Sequence, residues 1–176
     1  MAPSSNGEWW LKTLQGIGKE LIKGVDLPLD LLEVCLCKVN QLPSRFIQRI
    51  LSPIKDTLGQ PRLFRHHDKG KRLAIAACLT EVLRILAPRT PYDDNNMIKI
   101  LHLIIDNFQS LDDISADPFC IKSTILENCA NVKMGNLLVD LELQNLVDDM
   151  FHHFLATIKE DHDTKVLVAM ESLMIS

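Results

Sequence analysis

The sequence predicts an all-α chain built from a row of helical hairpins. Leucine and isoleucine recur at helical spacing, whereas aromatic residues make up only 5% of the chain and glycine occurs only seven times. Aspartates that can cap helices also recur at a nearly constant interval: Asp26, Asp68, Asp117 and Asp163 precede every second predicted helix and are 42, 49 and 46 residues apart. HEAT and armadillo repeats recur every ~40–47 residues. The fold class is therefore an all-α, HEAT/armadillo-like solenoid.

Two of the predicted turns also resemble each other. His67-Asp68 is followed from residue 72 by RLAIA, and His162-Asp163 is followed from residue 165 by KVLVA. An aspartate in the turn and a basic residue early in the second helix form the usual HEAT pattern. Together with the interval between the aspartates, this similarity supports an α-solenoid of stacked repeats.

Apolar stripes and helix breakers predict eight helices. They lie at 8–24, 27–41, 45–58, 69–87, 94–109, 118–132, 142–159 and from 164 to the last residues. Pro53 is expected to kink or split the third helix, because proline lacks an amide donor and disfavours helical geometry at the residue before it. Asp117-Pro118 is read as an N-cap followed by proline at the first helical position.

The fourth predicted helix organises the chain. Asp68 can accept hydrogen bonds from the free amides of its first turn, and Pro88 and Pro91 end it. The apolar stripe is wide, with Leu79, Val82, Leu83 and Leu86 at helical spacing and Ile75, Ala76 and Cys78 beside them. One covering layer cannot bury such a helix, so it is predicted to be an inner helix.

Two terminal features carry expectations of their own. Residues 1–7 are expected to be disordered, and 8–176 to form an N-terminal HEAT-repeat array that belongs to a longer solenoid. The apolar face of the first helix favours docking on the next helix over a membrane surface. The last helix is expected to present an apolar patch formed by Val166, Leu167, Met170, Leu173 and Met174.

Composition narrows the function classes. The chain has 176 residues, is 47% hydrophobic and carries a formal net charge of −4, which argues against a mainly electrostatic nucleic-acid binder. No nucleophile motif, paired catalytic carboxylates or glycine-rich phosphate loop occurs, so neither an enzyme nor a small-molecule substrate is expected. No segment is apolar enough to span a membrane. Five cysteines, an odd number, fit free thiols in a reducing compartment.

Three separated segments carry a family resemblance. They are HHDKGKRLAIAACLTEVLRILAPRTPYDD from residue 66, ILENCANVKMGNLLVDLE from 125 and DMFHHFLATIKEDHD from 149. In order and spacing the chain resembles, from about residue 50 onward, the N-terminal HEAT repeats of the precocious-dissociation-of-sisters (Pds) family of cohesin regulators, and its plant members in particular. Residues 1–45 share only their helical character.

The resemblance implies a non-enzymatic nuclear scaffold without cofactors. Such a scaffold binds cohesin subunits and short peptides of cohesin regulators, associates with chromatin indirectly, and acts in sister-chromatid cohesion, chromosome segregation and DNA repair. Family members carry an Ala-Pro-x-x-Pro-Tyr element that docks regulator peptides. Here Ala87, Pro88, Pro91 and Tyr92 match it, whereas Arg89 and Thr90 depart from the acidic residue and alanine usual in the family. A cation at 89 would repel a basic residue of a peptide partner.

Several alternatives remain open. A plain interhelix turn competes with a peptide dock at residues 87–92, and a generic armadillo-like adaptor unrelated to cohesin competes with a cohesin regulator. Lys69, Lys71 and Arg72 at a helix N-terminus could bind an anion, or could simply be a solvated helix start. The six histidines show no zinc-binding spacing, and no metal is expected.

Overall fold

The computed structural model describes residues 9–22, 26–115 and 117–176, and every regular element within them is helical. The ten α-helices are α1 (Trp9–Ile22), α2 (Leu29–Leu36), α3 (Arg45–Leu58), α4 (Pro61–Phe64), α5 (Lys69–Leu86), α6 (Asp94–Asp106), α7 (Phe119–Asn131), α8 (Met134–Asp140), α9 (Gln144–Thr157) and α10 (Thr164–Ile175). A 3-10 turn, Asn107–Ser110, follows α6. The expected disorder of residues 1–7 concerns residues outside this description.

The helices pack in two layers. In one layer α2 packs on α5, α5 on α7, and α7 on α10, which makes a row of the second helices of successive hairpins. In the other layer α1 packs on α3, α4 on α6, and α6 on α9, and α3, α4 and α6 also contact α5. Each hairpin thus buries its apolar face on its neighbours, as the interval between the aspartates predicted.

Helix α5 is the inner helix of this array. Eleven of its residues are buried, and among them Ala76, Cys78, Leu79 and Ile85 are completely inaccessible. It begins where expected, because the Asp68 carboxylate accepts a hydrogen bond of 3.0 Å from the amide of Lys71. This hydrogen bond is the main reason why the pKa of Asp68 lies below its ordinary value.

The capping predictions are confirmed for Asp68 and Asp163 and wrong for Asp26 and Asp117. The Asp163 carboxylate accepts from the amide of Lys165 at the start of α10. In contrast, α2 and α7 each begin one residue after a proline, so Pro28 and Pro118 hold the N-cap positions without a side-chain acceptor. Asp26 and Asp117 lie before these prolines, outside both helices.

Several predicted boundaries also need correction. The second helix ends at Leu36 instead of 41, and the fifth gives way to the 3-10 turn after Asp106. Two short helices, α4 and α8, were not predicted. Pro53 does not split α3, which is continuous from Arg45 to Leu58. Leu155 and Ile158, which belong to the apolar residues whose spacing predicted the seventh helix, are exposed.

The expected apolar patch on the last helix is also wrong. Val166, Met170 and Leu173 are buried, because this face of α10 packs on α7 and α8. Leu167 and Met174 are half-buried, and the exposed apolar residues of α10 are Val168 and Ile175. At the other end, Leu14 and Ile17 of α1 are buried in the common core, as the docking interpretation predicted.

All five cysteines are free thiols. Cys35, Cys78 and Cys129 are buried, and burial raises the pKa of Cys129 well above its ordinary value. Cys120 is exposed together with Cys37, although its neighbours in the sequence, Phe119 and Ile121, are apolar. Across the described ranges, no helix is both long enough and apolar enough to cross a bilayer.

Candidate partner-binding surface

The proline–tyrosine segment, residues 87–92, connects α5 to α6. The Ala87 amide donates to the carbonyl of Leu83, the last turn-closing bond of α5, and the Ala87–Pro88 peptide bond is cis. The Arg89 amide donates to the carbonyl of Leu86 at 3.0 Å. Asp93 then caps α6 by accepting from the amide of Asn96. The segment is therefore fixed by hydrogen bonds at both ends.

The loop between α2 and α3 supports the segment from one side. The Gln41 side chain donates 3.2 Å to the carbonyl of Ala87, and the Leu42 amide donates 3.0 Å to the carbonyl of Ile85. Leu42 adopts a positive φ of 54°, which bends the chain back toward α5. These contacts join residues more than forty positions apart, and sequence spacing gave no sign of them.

Tyr92 anchors the segment on α3. Its hydroxyl donates 3.1 Å to the carbonyl of Lys55, and its ring lies against Gly59 so closely that a Cβ there would come within 2.6 Å of a ring carbon. The Lys55 ammonium lies 5.8 Å from the ring centroid. Burial, followed by the nearby Asp56 carboxylate, raises the pKa of Tyr92 above its ordinary value. The Tyr92 hydroxyl is thus already hydrogen-bonded within the chain.

The surface that remains accessible lies between the two anchors. Pro88, Arg89 and Thr90 are exposed, and Ala87, Pro91 and Tyr92 are half-buried. Arg89, one of the two departures from the family element, therefore lies in the most accessible part of the segment. A bound peptide would meet a cation and two prolines here, over a backbone that the contacts of Gln41 and Tyr92 hold in place.

The second predicted site, at the start of α5, is divided between two surfaces. Lys69 and Arg72 line one concavity together with Lys122, whereas Lys71 lines another beside Asp30. The Lys71 amide, which an anion would use, already donates to Asp68. Arg72 donates 2.8 Å to the carbonyl of His66. Anion binding by these three residues together stays a prediction.

A buried polar cluster lies in the second half of α5, shortly before the proline–tyrosine segment in the chain. Glu81, only 3% exposed, accepts from Arg84 at 2.7 Å and from Asn128 of α7 at 2.8 Å. Arg84 also donates to the carbonyls of Val39 and Leu36 at the end of α2. The cluster connects α2, α5 and α7, and no sequence pattern predicts it, because Glu81 and Asn128 are 47 residues apart.

Metal binding finds no support in the residues described: no three His, Cys, Asp or Glu side chains among them lie close enough together to hold a metal ion. His162, one of the histidines considered, is buried. Its ring bridges the carbonyl of Leu111 at 2.8 Å and the amide of Lys159 at 3.3 Å, and stacks on Phe119. It therefore joins the turn before α10 to the core.

Comparison with known proteins gives consistent matches. A family model described as sister chromatid cohesion protein PDS5 matches residues 29–176. Sister chromatid cohesion protein PDS5 homolog C of Arabidopsis thaliana is 38% identical over 146 residues, which are 83% of this chain and 17% of the relative. PDS5 homolog A of Mus musculus is 32% identical over 126 residues, or 70% of this chain and 10% of the relative.

Among solved structures, one described as the Pds5–Scc1 complex and its implications for cohesin function matches with a TM-score of 0.71 at 25% identity. The match covers 83% of this chain and 21% of that chain. The chain thus spans about a fifth or less of the proteins that it matches. The matched fold confirms the predicted helical-repeat class.

Proposed function

Because the chain belongs to the PDS5 family of sister chromatid cohesion proteins, we propose that it is a non-enzymatic scaffold that regulates cohesin in the nucleus. The observation that carries this proposal is the family match over residues 29–176, together with a helical array like that in the Pds5–Scc1 structure. Its partners are cohesin subunits and short peptides of cohesin regulators, and its association with chromatin is indirect. Segregation and recombinational DNA repair are the processes in which it acts.

The scaffold role is tested by affinity purification of the tagged chain from nuclear extract. Cohesin subunits, identified by mass spectrometry, should co-purify with the wild type. The matched control is a variant with the interior of the array disrupted, Leu79→Asp, because Leu79 is fully buried in α5. Absence of cohesin subunits from the wild-type sample, with the chain folded, would refute the proposal.

The proposed peptide site comprises Ala87, Pro88, Pro91 and Tyr92. Two prolines limit the backbone entropy that a peptide must remove on binding, and the half-buried Tyr92 ring offers apolar area. Truncation of Tyr92 to alanine is expected to weaken peptide binding by roughly 1–3 kcal/mol. Since Tyr92 also anchors the segment on α3, Tyr92→Phe is the necessary companion: it removes the hydrogen bond to Lys55 and keeps the ring.

Arg89 offers a sharper test, because its side chain is exposed and no described contact depends on it. Arg89→Asp should strengthen binding of a synthetic basic peptide by about 0.2–1 kcal/mol and weaken binding of its acidic counterpart. Arg45→Asp, an equally exposed change on α3, is the matched control for net charge. Titration calorimetry measures the binding of the basic and the acidic peptide to each variant. Equal effects of the two variants, or identical binding by wild type and Tyr92→Ala, would leave residues 87–92 as a plain turn.

A further inference from the structure

Two concavities adjoin on the face formed by α4, α6 and the start of α5. The first, of about 540 Å³, is lined by residues of α4, α5 and α6, and the second, of about 490 Å³, extends it to the 3-10 turn and α7. Arg72, Leu103 and Asp106 line both, so the two concavities are direct neighbours. We refer to the whole as the basic groove, defined by its cations Arg62, Arg65, Lys69, Arg72, Lys99 and Lys122.

The charge of the basic groove is one-sided. Six cations line it, against the single carboxylate of Asp106 among the described lining residues. Three other surface concavities are balanced, with one cation and one carboxylate each: Arg62 and Asp26, Lys71 and Asp30, Lys165 and Glu127. Positive charge is thus concentrated in the basic groove, although the chain as a whole has a net charge of −4.

These cations are not held in ion pairs. Between residues that the structure describes, the salt bridges join Lys55 to Asp56 and Arg84 to Glu81, and neither involves the groove. Arg62, Arg65, Lys69 and Lys99 are exposed. Lys122 donates to the Ser110 hydroxyl, and partial burial lowers its pKa, although Asp113 and Asp112 partly oppose this effect. An anionic partner would offset the cost of keeping these charges close together.

The groove also has an apolar edge, formed by Pro61 and the half-buried Phe64. A ligand that matches both features carries several negative charges beside an apolar side chain. We infer that the basic groove is a docking site for an acidic peptide segment of a partner protein, with an apolar residue placed among its acidic residues. Three arginines suit such a segment, since guanidinium groups pair with carboxylates in a two-bond geometry.

A peptide fits this surface better than duplex DNA does. Electrostatic attraction between exposed charges is screened beyond ~8 Å at physiological ionic strength, so a short peptide experiences the local positive potential of the groove. A duplex is straight and carries a charge every ~1.7 Å along its axis. It would extend beyond the groove over the remaining surface, where the chain is net acidic. The inference does not depend on the function proposed above.

The test uses fluorescence anisotropy with a short fluorescein-labelled peptide, rich in glutamate around a central phenylalanine. The chain should bind it, less tightly as potassium chloride is raised, and should not bind a peptide with glutamine in place of glutamate. Arg65→Glu combined with Lys99→Glu should weaken binding by roughly tenfold or more, because two attractive charges become repulsive. Both residues are exposed, so the variant should fold. If it does not, Arg65→Gln combined with Lys99→Gln replaces it, because this variant removes the two charges without reversing them.

The matched control is Arg49→Glu combined with Lys38→Glu, which alters net charge equally at two exposed positions outside the groove. The dissociation constant of the glutamate-rich peptide for this control variant should stay within about twofold of the wild-type value. Equal losses in both double variants would mean that only net charge matters, and would overturn the inference. Tighter binding of duplex DNA than of the peptide, lost in the groove variant, would overturn it in favour of nucleic acid.

Discussion

The buried cluster of Glu81, Arg84 and Asn128 makes a quantitative prediction about what holds the array together. Arg84 donates twice to Glu81 at 2.7 Å and also to the carbonyl of Val39 at 2.8 Å. Replacing it with methionine preserves an unbranched apolar stem of similar reach and removes the charge. The Glu81 carboxylate, whose side chain is 4% exposed, would then keep only Asn128 as a partner.

The magnitude follows from the burial of the charge that is left behind. Removal of one partner of a buried ion pair typically costs about 3–5 kcal/mol, and the remaining exposure of Arg84 places this case near ~3 kcal/mol. That is a large part of a typical stability of about 5–15 kcal/mol. For a chain of this size it corresponds to a fall in Tm of about 6–12 °C.

Urea denaturation followed by far-ultraviolet circular dichroism measures this cost. The companion variant is Glu81→Gln with Arg84→Met, which removes the charge and keeps an acceptor for Asn128. It should recover about 1–2 kcal/mol relative to Arg84→Met alone, because no buried charge is left unpaired. The reasoning is refuted if the free energy of unfolding of Arg84→Met lies within about 1 kcal/mol of the wild-type value. It is also refuted if the double variant is no more stable than Arg84→Met alone.

Two other predictions concern carboxylates whose pKa values move in opposite directions. Burial first, and then Glu81 and Asp30, raise the pKa of Glu33 above its ordinary 4.5, so the folded state binds this proton more tightly than the unfolded chain. Glu33→Gln should therefore raise Tm at neutral pH, and the gain should vanish as the pH falls below about 4.5; a gain that is independent of pH would contradict this cause. The amide of Lys71 lowers the pKa of Asp68, so Asp68 stabilises the protein above its ordinary value of 3.8 and loses that effect on acidification. Asp68→Ala should lower Tm at neutral pH more than Asp68→Asn, which keeps an acceptor, and equal effects would show that the cap is unimportant.

The interval between the aspartates predicted the helical hairpins correctly, whereas the capping role assigned to the same aspartates was correct for only two of the four. Asp26 and Asp117 do not cap α2 and α7, yet all four aspartates precede the helices of one layer, α2, α5, α7 and α10. The interval between the aspartates follows from the length of a hairpin, and this length is kept because the hairpins stack. Whether an aspartate caps its helix depends on where the helix begins, and a proline can move that start by one or two residues. Periodicity can therefore be correct where the local chemistry assigned to it is not.

Short helices and long-range polar contacts were outside the reach of sequence patterns. Helices α4 and α8 span four and seven residues, too few to show a stripe of period 3.6. The proline–tyrosine segment was located by its residues, but its anchors at Gln41, Lys55 and Gly59 come from other parts of the chain. The basic groove is likewise assembled from five elements, and its cations are scattered from residue 62 to 122.

The central place of α5 has a consequence for how the chain opens in solution. This helix contacts α2, α3, α4, α6 and α7, whereas α10 contacts only α7 and α8 among the pairs that pack extensively. Amide hydrogens of α10 can therefore exchange with solvent deuterium after a local detachment, but those of α5 are released only when several neighbours separate together. Hydrogen exchange should thus be slowest along α5 and faster toward α10. The rigid interior that supports the proline–tyrosine segment would then belong to the same array as a helix, α10, that can detach independently.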